Sequence, residues 1–381
     1  MRVAYVSCDP GVPVFGGKGC SVHVQEVVRA LRRAGAEVEM FAVRFGGSPP
    51  ADLQDVPCHP LPAIPDGTRA QRERAAMELD ARVGALVFQG DFDLVYERYS
   101  LWSCGTLEAA RRHGVPGILE VNAPLIEEQQ RYREIEHIDE AERIAVRAFA
   151  ASRTVFAVSA PVADYVRMIV PSANVEVVPN GVDVDRFPPA SPDRMKELSI
   201  VFAGTLKPWH GVDHLLKACA SLFANHANCQ LTIVGDGPEG TALRRMAESL
   251  GIAARTTFVG AVDPIDVPLL LSKGSIATAP YPFLENFYFS PLKLYEYMAA
   301  GLPSVASDIG QVPDIIKHGR NGLLYEPGDD QALCRAIETL LLSPELRGRL
   351  GRQARLDARS QHSWDRVAAS VLRAGSGKVP G

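Results

Sequence analysis

No apolar stretch in this chain approaches the roughly 20 residues that a membrane-spanning helix needs, so no integral membrane segment is expected. There is no C-x-x-C pair. The seven cysteines, Cys8, Cys20, Cys58, Cys104, Cys219, Cys229 and Cys334, are scattered and odd in number. This argues against a zinc site or a disulfide framework and for reduced thiols in a cytoplasmic setting. There is no large excess of either charge. A net charge of −5 over 381 residues gives no reason to expect nucleic acid or an anionic membrane as the main partner. No basic amphipathic helix is clear enough to indicate lipid binding. The G-x-G-x-x-G of dinucleotide-binding folds is missing. The Gly375-Ser376-Gly377-Lys378 run lacks the glycine spacing and the following Ser or Thr of a P-loop. The chain opens on a strand-like run, Arg2 to Ser7, with no signal peptide expected before it.

What is present is an ordinary globular composition, 46% hydrophobic and 22% charged, in a chain too long for one core. Apolar strands alternate with amphipathic helices. Strands are expected at Val3–Ser7, Glu37–Val43, Leu94–Glu97, Gly117–Val121, Thr154–Val158 and Val175–Val178, with helices at Val22–Arg33, Trp102–Arg112 and Ile126–Ala150. The pattern then restarts. Strands are expected at Ser199–Ala203, Cys229–Val234, Thr257–Val259, Ser275–Ala279 and Ser304–Ser307, with helices at Val212–Asn225 and Glu239–Leu250. Such alternation predicts α/β architecture, with parallel sheets covered on both faces. Pro179–Pro192 reads as a linker, residues 46–68 as a surface excursion and Ala374–Gly381 as a disordered tail. Ligands of doubly wound sheets bind outside the carboxyl ends of the strands, so function is sought in the loops that follow them.

The most informative run is Ser290-Pro291-Leu292-Lys293-Leu294-Tyr295-Glu296, closed by Gly301 and Pro303. Ser290 is expected as the N-cap and Pro291 as the first helical residue. The amino end of this helix offers N–H groups and partial positive charge to an anion. Lys293 and Glu296 share one helical face. A cation there suits a diphosphate, and a carboxylate one turn further in suits the two hydroxyls of a ribose. The competing reading is a capped core helix with a local ion pair. Three loops repeat the theme. Gly16, Gly17 and Gly19 follow the first strand and allow close approach and positive φ. Gly204-Thr205-Leu206-Lys207-Pro208-Trp209-His210-Gly211 follows the first strand of the second half, with Lys207 and His210 as phosphate contacts. Gly235-Asp236-Gly237-Pro238 opens another helix, where the glycines would let the chain pass a ligand and Asp236 would cap.

Taken in order, these segments, with Val158-Ser159-Ala160-Pro161, Val178-Pro179-Asn180-Gly181-Val182-Asp183 and Lys293 to Gly301, resemble the family 4 glycosyltransferases over nearly the whole chain. The resemblance implies the GT-B fold, with two doubly wound Rossmann-like domains facing across a cleft. An acceptor-side domain would span 1–185 and a nucleotide-sugar domain 186–359. A helix at about 360–373 would pack back on the first domain, and 374–381 would be a tail. It implies transfer of a sugar from a nucleotide-diphosphate donor with retention, no cofactor and no metal. The acceptor would be a small molecule, a glycan or a lipid-linked acceptor, and the protein a monomer or homodimer. Uridine and guanosine donors both remain open.

By the same resemblance Glu296 accepts the ribose hydroxyls, and Gly16 and Gly17 close over the donor phosphates. Gly204, His210, Gly235, Gly237, Val262, Phe289, Ser290, Pro291 and Leu292 complete the donor site. Three departures stand out. Thr205 and His210 occupy the usual Arg and Lys positions, with Lys207 nearby to compensate. Tyr288 stands eight before Glu296 where a glutamate is usual, and Glu285 lies eleven before it. Asn122 ends a strand where many relatives have a nearby His, which leaves Glu120 as a general base, an acceptor partner or a carboxylate satisfied by its neighbours. The catalytic candidates are therefore Lys207, Glu285, Glu120 and Asn122. The alternatives are a nucleotide-sugar epimerase or phosphorylase, an NAD-dependent dehydrogenase and an inactive sugar-nucleotide binding module.

Overall fold

The computed structural model describes residues 1–188 and 198–377. Pro189 and Pro192 of the expected linker, and residues 378–381 of the expected tail, lie outside them. The described residues form two compact units: 1–180 with 288–290 and 364–377, and 181–188 with 198–287 and 291–363.

The first unit runs β1 (Arg2–Ser7), α1 (Gly19–Arg33), β2 (Glu37–Ala42), β3 (Cys58–Pro60), α2 (Arg69–Val87), β4 (Leu94–Arg98), α3 (Gly105–Arg112), β5 (Gly117–Val121), α4 (Leu125–Tyr132), α5 (Ile138–Ala151), β6 (Thr154–Ala157), α6 (Ala160–Ile169) and β7 (Val175–Val177). All seven strands are parallel, in the order β3-β2-β1-β4-β5-β6-β7. β5 and β6 are buried throughout, because helices cover both faces of such a sheet and leave no polar side. Two elements were not among those expected. β3 adds an edge strand inside the 46–68 excursion, and α2 starts on a capping box in which Thr68 and Gln71 satisfy each other's backbone. The single helix expected over Ile126–Ala150 is two. The Glu73 carboxylate accepts from the Glu136 and His137 N–H groups and from His137 Nδ1, at 3.2, 3.0 and 2.8 Å, and so holds a turn open between them.

The second unit runs β8 (Leu198–Ala203), α7 (Val212–Asn225), β9 (Cys229–Val234), α8 (Gly240–Ser249), β10 (Thr256–Gly260), α9 (Val267–Ser272), β11 (Ile276–Ala279), α10 (Leu292–Ala299), β12 (Ser304–Ser307), α11 (Val312–Ile315), β13 (Gly322–Tyr325), α12 (Asp330–Leu342) and α13 (Pro344–Gln361). Its parallel sheet is ordered β10-β9-β8-β11-β12-β13. Its core packs Phe202, Leu215, Leu222, Ile233 and Ile337 between sheet and helices. Residues 181–187, expected as linker, are packed structure. The Val182 N–H donates to the His362 carbonyl at 2.8 Å, and Arg355 donates to the Phe187 carbonyl at 3.0 Å. The switch between units therefore falls after Asn180 and Ser363.

The last helix, α14 (Trp364–Gly375), belongs to the first unit, where Trp364 meets His23 edge-on with ring centroids 5.0 Å apart. Ala374 and Gly375 form its last turn instead of a tail. A Cβ on Gly375 would come within 2.9 Å of Leu94, so the helix end packs directly on β4.

Candidate active site

In a doubly wound sheet the crevice opens where the strand order reverses. In the second unit β8 and β11 are neighbours although α7, β9, α8, β10 and α9 separate them in the chain. The loops that leave them begin at Gly204 and Pro280. Gly204, Lys207, His210, Gly235, Gly237, Pro291, Leu292 and Glu296 gather at this end of one sheet.

Glycines at these positions serve loop-to-loop packing. A Cβ on Gly235 would lie 2.1 Å from the Gly204 carbonyl oxygen, and one on Gly237 would lie 2.4 Å from that of Leu206. The Leu206 N–H donates to the Asp236 carbonyl at 3.0 Å, so the two loops brace each other. Asp236 does not cap α8. Its side chain accepts from the Gly237 N–H at 2.8 Å, and the helix begins only at Gly240. Tyr297 fixes α10 to the end of β8, since its hydroxyl accepts from the Ala203 N–H at 2.7 Å.

The amino end of α10 differs from expectation. The helix starts at Leu292 with Pro291 as the N-cap residue. Ser290 is taken up elsewhere: its Oγ accepts from the Asn180 N–H at 3.1 Å and its carbonyl from Asn180 Nδ2 at 2.8 Å, within the first unit. The Leu294 N–H in the first turn of α10 donates to the Pro291 carbonyl at 3.0 Å, and half-buried Glu296 lies one turn in.

The cations are distributed in a way the sequence does not show. The Lys207 ammonium stands 5.4 Å from the centroid of the Trp209 ring, half-exposed. His210 Nδ1 must donate to the Thr205 carbonyl, because a carbonyl only accepts. Burial, aided by the charge of Lys293, pushes this imidazole down to about 3, so it is neutral. Its Nε2 therefore carries a lone pair and accepts, and His210 is no phosphate donor near neutral pH. Lys293, by contrast, is 8% exposed, and its Nζ has no hydrogen-bond partner among the described residues. Burial lowers its ammonium to about 7, while Glu296 pulls the other way. Glu285 is exposed, and Val262 is half-buried beyond β10.

In the first unit the glycine loop is tied down. Gln25 Nε2 donates to the carbonyls of Val14 and Gly16, at 2.9 and 3.1 Å. None of Gly16, Gly17 and Gly19 takes a positive φ. Gly16 is needed for space, since a Cβ there would come within 2.9 Å of Pro13 and Ser21. Phe289 is half-buried in the same unit. Glu120 is 4% exposed, accepts from His23 Nε2 at 2.6 Å and lies 3.6 Å from Arg98. Burial favours its neutral form, but the charge and hydrogen bond of His23, with Arg98, outweigh this and hold it down at about 2. A carboxylate so acidic is a poor proton acceptor near pH 7. Of the three readings of Glu120, the geometry supports a carboxylate held by its neighbours, its Oε1 bonded to His23 and its Oε2 buried near Arg98 without a hydrogen-bond partner among the described residues. Asn122, two residues on, has its Nδ2 buried without a hydrogen-bond partner among the described residues. His23 gave no sequence signal, because its partner lies 97 residues away.

A groove of about 710 Å³ on the first unit lies apart from these loops, between α2, α3 and α5. Four of its charges pair with each other, Arg147 with Glu108 and Arg143 with Glu140, at 2.8 and 2.9 Å.

The sequence matches the family described as Glycosyltransferase Family 4 over residues 17–186 and Glycosyl transferases group 1 over residues 183–357. It is 28% identical to a D-inositol 3-phosphate glycosyltransferase of Salinispora tropica, over 96% of this chain and 81% of the relative. It is also 28% identical to a GDP-mannose-dependent phosphatidylinositol monomannoside mannosyltransferase of Mycobacterium tuberculosis, over 53% of this chain and 55% of the relative. Among solved structures it resembles HepE of Anabaena, determined in complex with UDP, with TM-score 0.76 and 19% identity over 99% of this chain and all (100%) of that one. Sucrose-phosphate synthase of Thermosynechococcus elongatus superposes with TM-score 0.75 and 19% identity, over 98% of both chains. These likenesses, two family matches that meet end to end and a GT-B fold built on two Rossmann-like units, make the chain a glycosyltransferase that belongs to family 4.

Proposed function

We propose that the second unit binds a nucleotide-diphosphate sugar at the amino end of α10, and that the enzyme passes the sugar to a hydroxyl acceptor with retention and without a metal. The observation that carries this reading is the convergence of one helix end, the 204–211 loop and Glu296 at the switch point of one sheet. Glu296 takes the ribose hydroxyls, and backbone N–H groups with Lys207 face the diphosphate. In the reaction the bond from the anomeric carbon to phosphate breaks while the bond to the acceptor oxygen forms on the same face. The acceptor proton passes to the departing phosphate. This course requires no separate base, in keeping with Glu120 being held ionised and buried. Charge grows on the leaving phosphate, so fixed donors and cations there lower the barrier.

UDP- and GDP-sugars are the first donors to test, since one structural neighbour was solved with UDP and one relative is named for GDP-mannose. Relatives named for inositol 3-phosphate and phosphatidylinositol mannoside acceptors make polyols and their phosphates the first acceptors to test. Seven free cysteines favour a cytoplasmic setting. A thermal-shift panel of nucleoside diphosphates and their sugars tests the reading, because a ligand bound only by the folded state raises the midpoint. A shift with one base and none with its rivals is expected. No shift with any of them would contradict it, and donor turnover without added acceptor would point to an epimerase or phosphorylase.

A further inference from the structure

We propose that the ammonium of Lys293, beside the Gly204 turn, is the cation that holds the donor's diphosphate and supplies the charge that Thr205 and His210 do not. The inference rests on the reading of the second unit as the donor site and adds the residue that reads the diphosphate.

The Lys293 Nζ lies 4.3 Å from the centroid of Phe202 and 5.2 Å from that of Tyr281, so aromatic faces hold it. A Cβ on Gly204 would stand 2.9 Å from this nitrogen, so the ammonium reaches the turn that ends β8. That turn lies at the switch point, where a ligand's phosphates are expected. No hydrogen-bond acceptor meets Nζ among the described residues. An ammonium removed from water without a partner is costly, and a fold that keeps one has three donors reserved for something absent. A diphosphate oxygen fits three donors and one positive charge.

The other cations on this loop are poorer candidates. Lys207 is half-exposed over Trp209, where water screens its charge. His210 is neutral and presents an acceptor. Glu296 lies on the same helical face as Lys293, one turn on, and Tyr281 and Tyr297 are the other titratable groups packed near it. The helix thus carries both recognition groups on one face, the cation for the diphosphate and the carboxylate for the ribose. Their spacing fixes one against the other.

The test is calorimetric titration of UDP, UMP, GDP and GMP into wild type, K293M, K293Q and K207M, each checked for cooperative unfolding. Wild type should prefer one diphosphate over its monophosphate. K293M should lose about tenfold or more of that preference, the scale of one charge-assisted contact, while its monophosphate affinity stays within about threefold. K207M should lose less than K293M. If K293M does not unfold cooperatively, K293Q serves in its place, with the same expectation. A K293M or K293Q protein with the wild-type ratio would overturn the inference and leave the donor site standing. Wild type that binds neither diphosphate would instead remove the donor-site reading, and this inference with it.

Discussion

Two glutamates at the ends of adjacent strands show how much residue-scale chemistry depends on partners. Glu97 and Glu120 lie on β4 and β5, which pair directly. Burial, with a smaller contribution from Asp80, raises Glu97 to about 8, against a hydrogen bond from Ser103 that favours the ion. His23 and Arg98 hold Glu120 at about 2. Glu97 is protonated in the fold while an unfolded glutamate ionises near 4.5. Its contribution is full below that value and drains away as pH rises towards 8. E97Q should therefore unfold at higher denaturant than wild type at pH 8.5, by about 1–3 kcal/mol, and the gap should close near pH 5. Glu120 has the opposite sign. Its stabilisation is present above about 4.5 and is lost as pH falls towards 2, so E120Q should cost about 3 kcal/mol at pH 7 in the same assay. Lys293 is charged when unfolded up to about 10.5 but folded only up to about 7. Its burial thus costs stability at and below neutrality, and less as pH rises. K293M should melt above wild type at pH 6, with the margin shrinking by pH 10; a lower melting point at pH 6 would contradict this sign. The Lys293–Glu296 pair was legible in the sequence, but burial and the pairing of Glu120 with His23, 97 residues away, were not.

At the scale of elements, what was legible followed from local pattern. Continuous apolar runs such as Gly117–Val121 gave the core strands. The missed β3 is three residues long and contains a proline, which a single sequence reads as turn. The split of α4 from α5 depends on Glu73, more than 60 residues upstream. The start of α10 moved because Ser290 bonds to Asn180 instead of capping the helix. The sequence did not show that the Gly204, Gly235 and Gly237 loops of the second unit also pack on each other. G235A should accordingly cost more than about 2 kcal/mol, because its Cβ would meet backbone 2.1 Å away at a φ of +129°. Y297F leaves the Ala203 N–H without its partner and should cost about 1–3 kcal/mol. The same change should weaken nucleoside diphosphate binding, because α10 loses its tie to β8. A Y297F protein with wild-type stability and affinity would show that this tie does not place the helix.

For the whole molecule, the restart of strand–helix alternation near residue 199 announced two Rossmann-like units, and the order of several weak motifs announced the family. The boundary expected at residue 185 lies five residues beyond the end of the first unit's main segment, because 181–187 is held by contacts from residues about 170 positions away. Acceptor identity was not legible either, since no motif in the first unit specifies one. If charge on the leaving phosphate is met by helix N–H groups and lysines, excess chelator should leave turnover unchanged once an acceptor is found. The central claim is that α10 offers its amino end and Glu296 to a nucleotide. Calorimetry of the preferred nucleoside diphosphate against wild type and E296A tests it most directly. The account predicts a loss of about ten- to a hundredfold in affinity, as for a carboxylate bonded to two hydroxyls, in a variant that melts normally. An E296A protein that is folded and binds as tightly as wild type would contradict it.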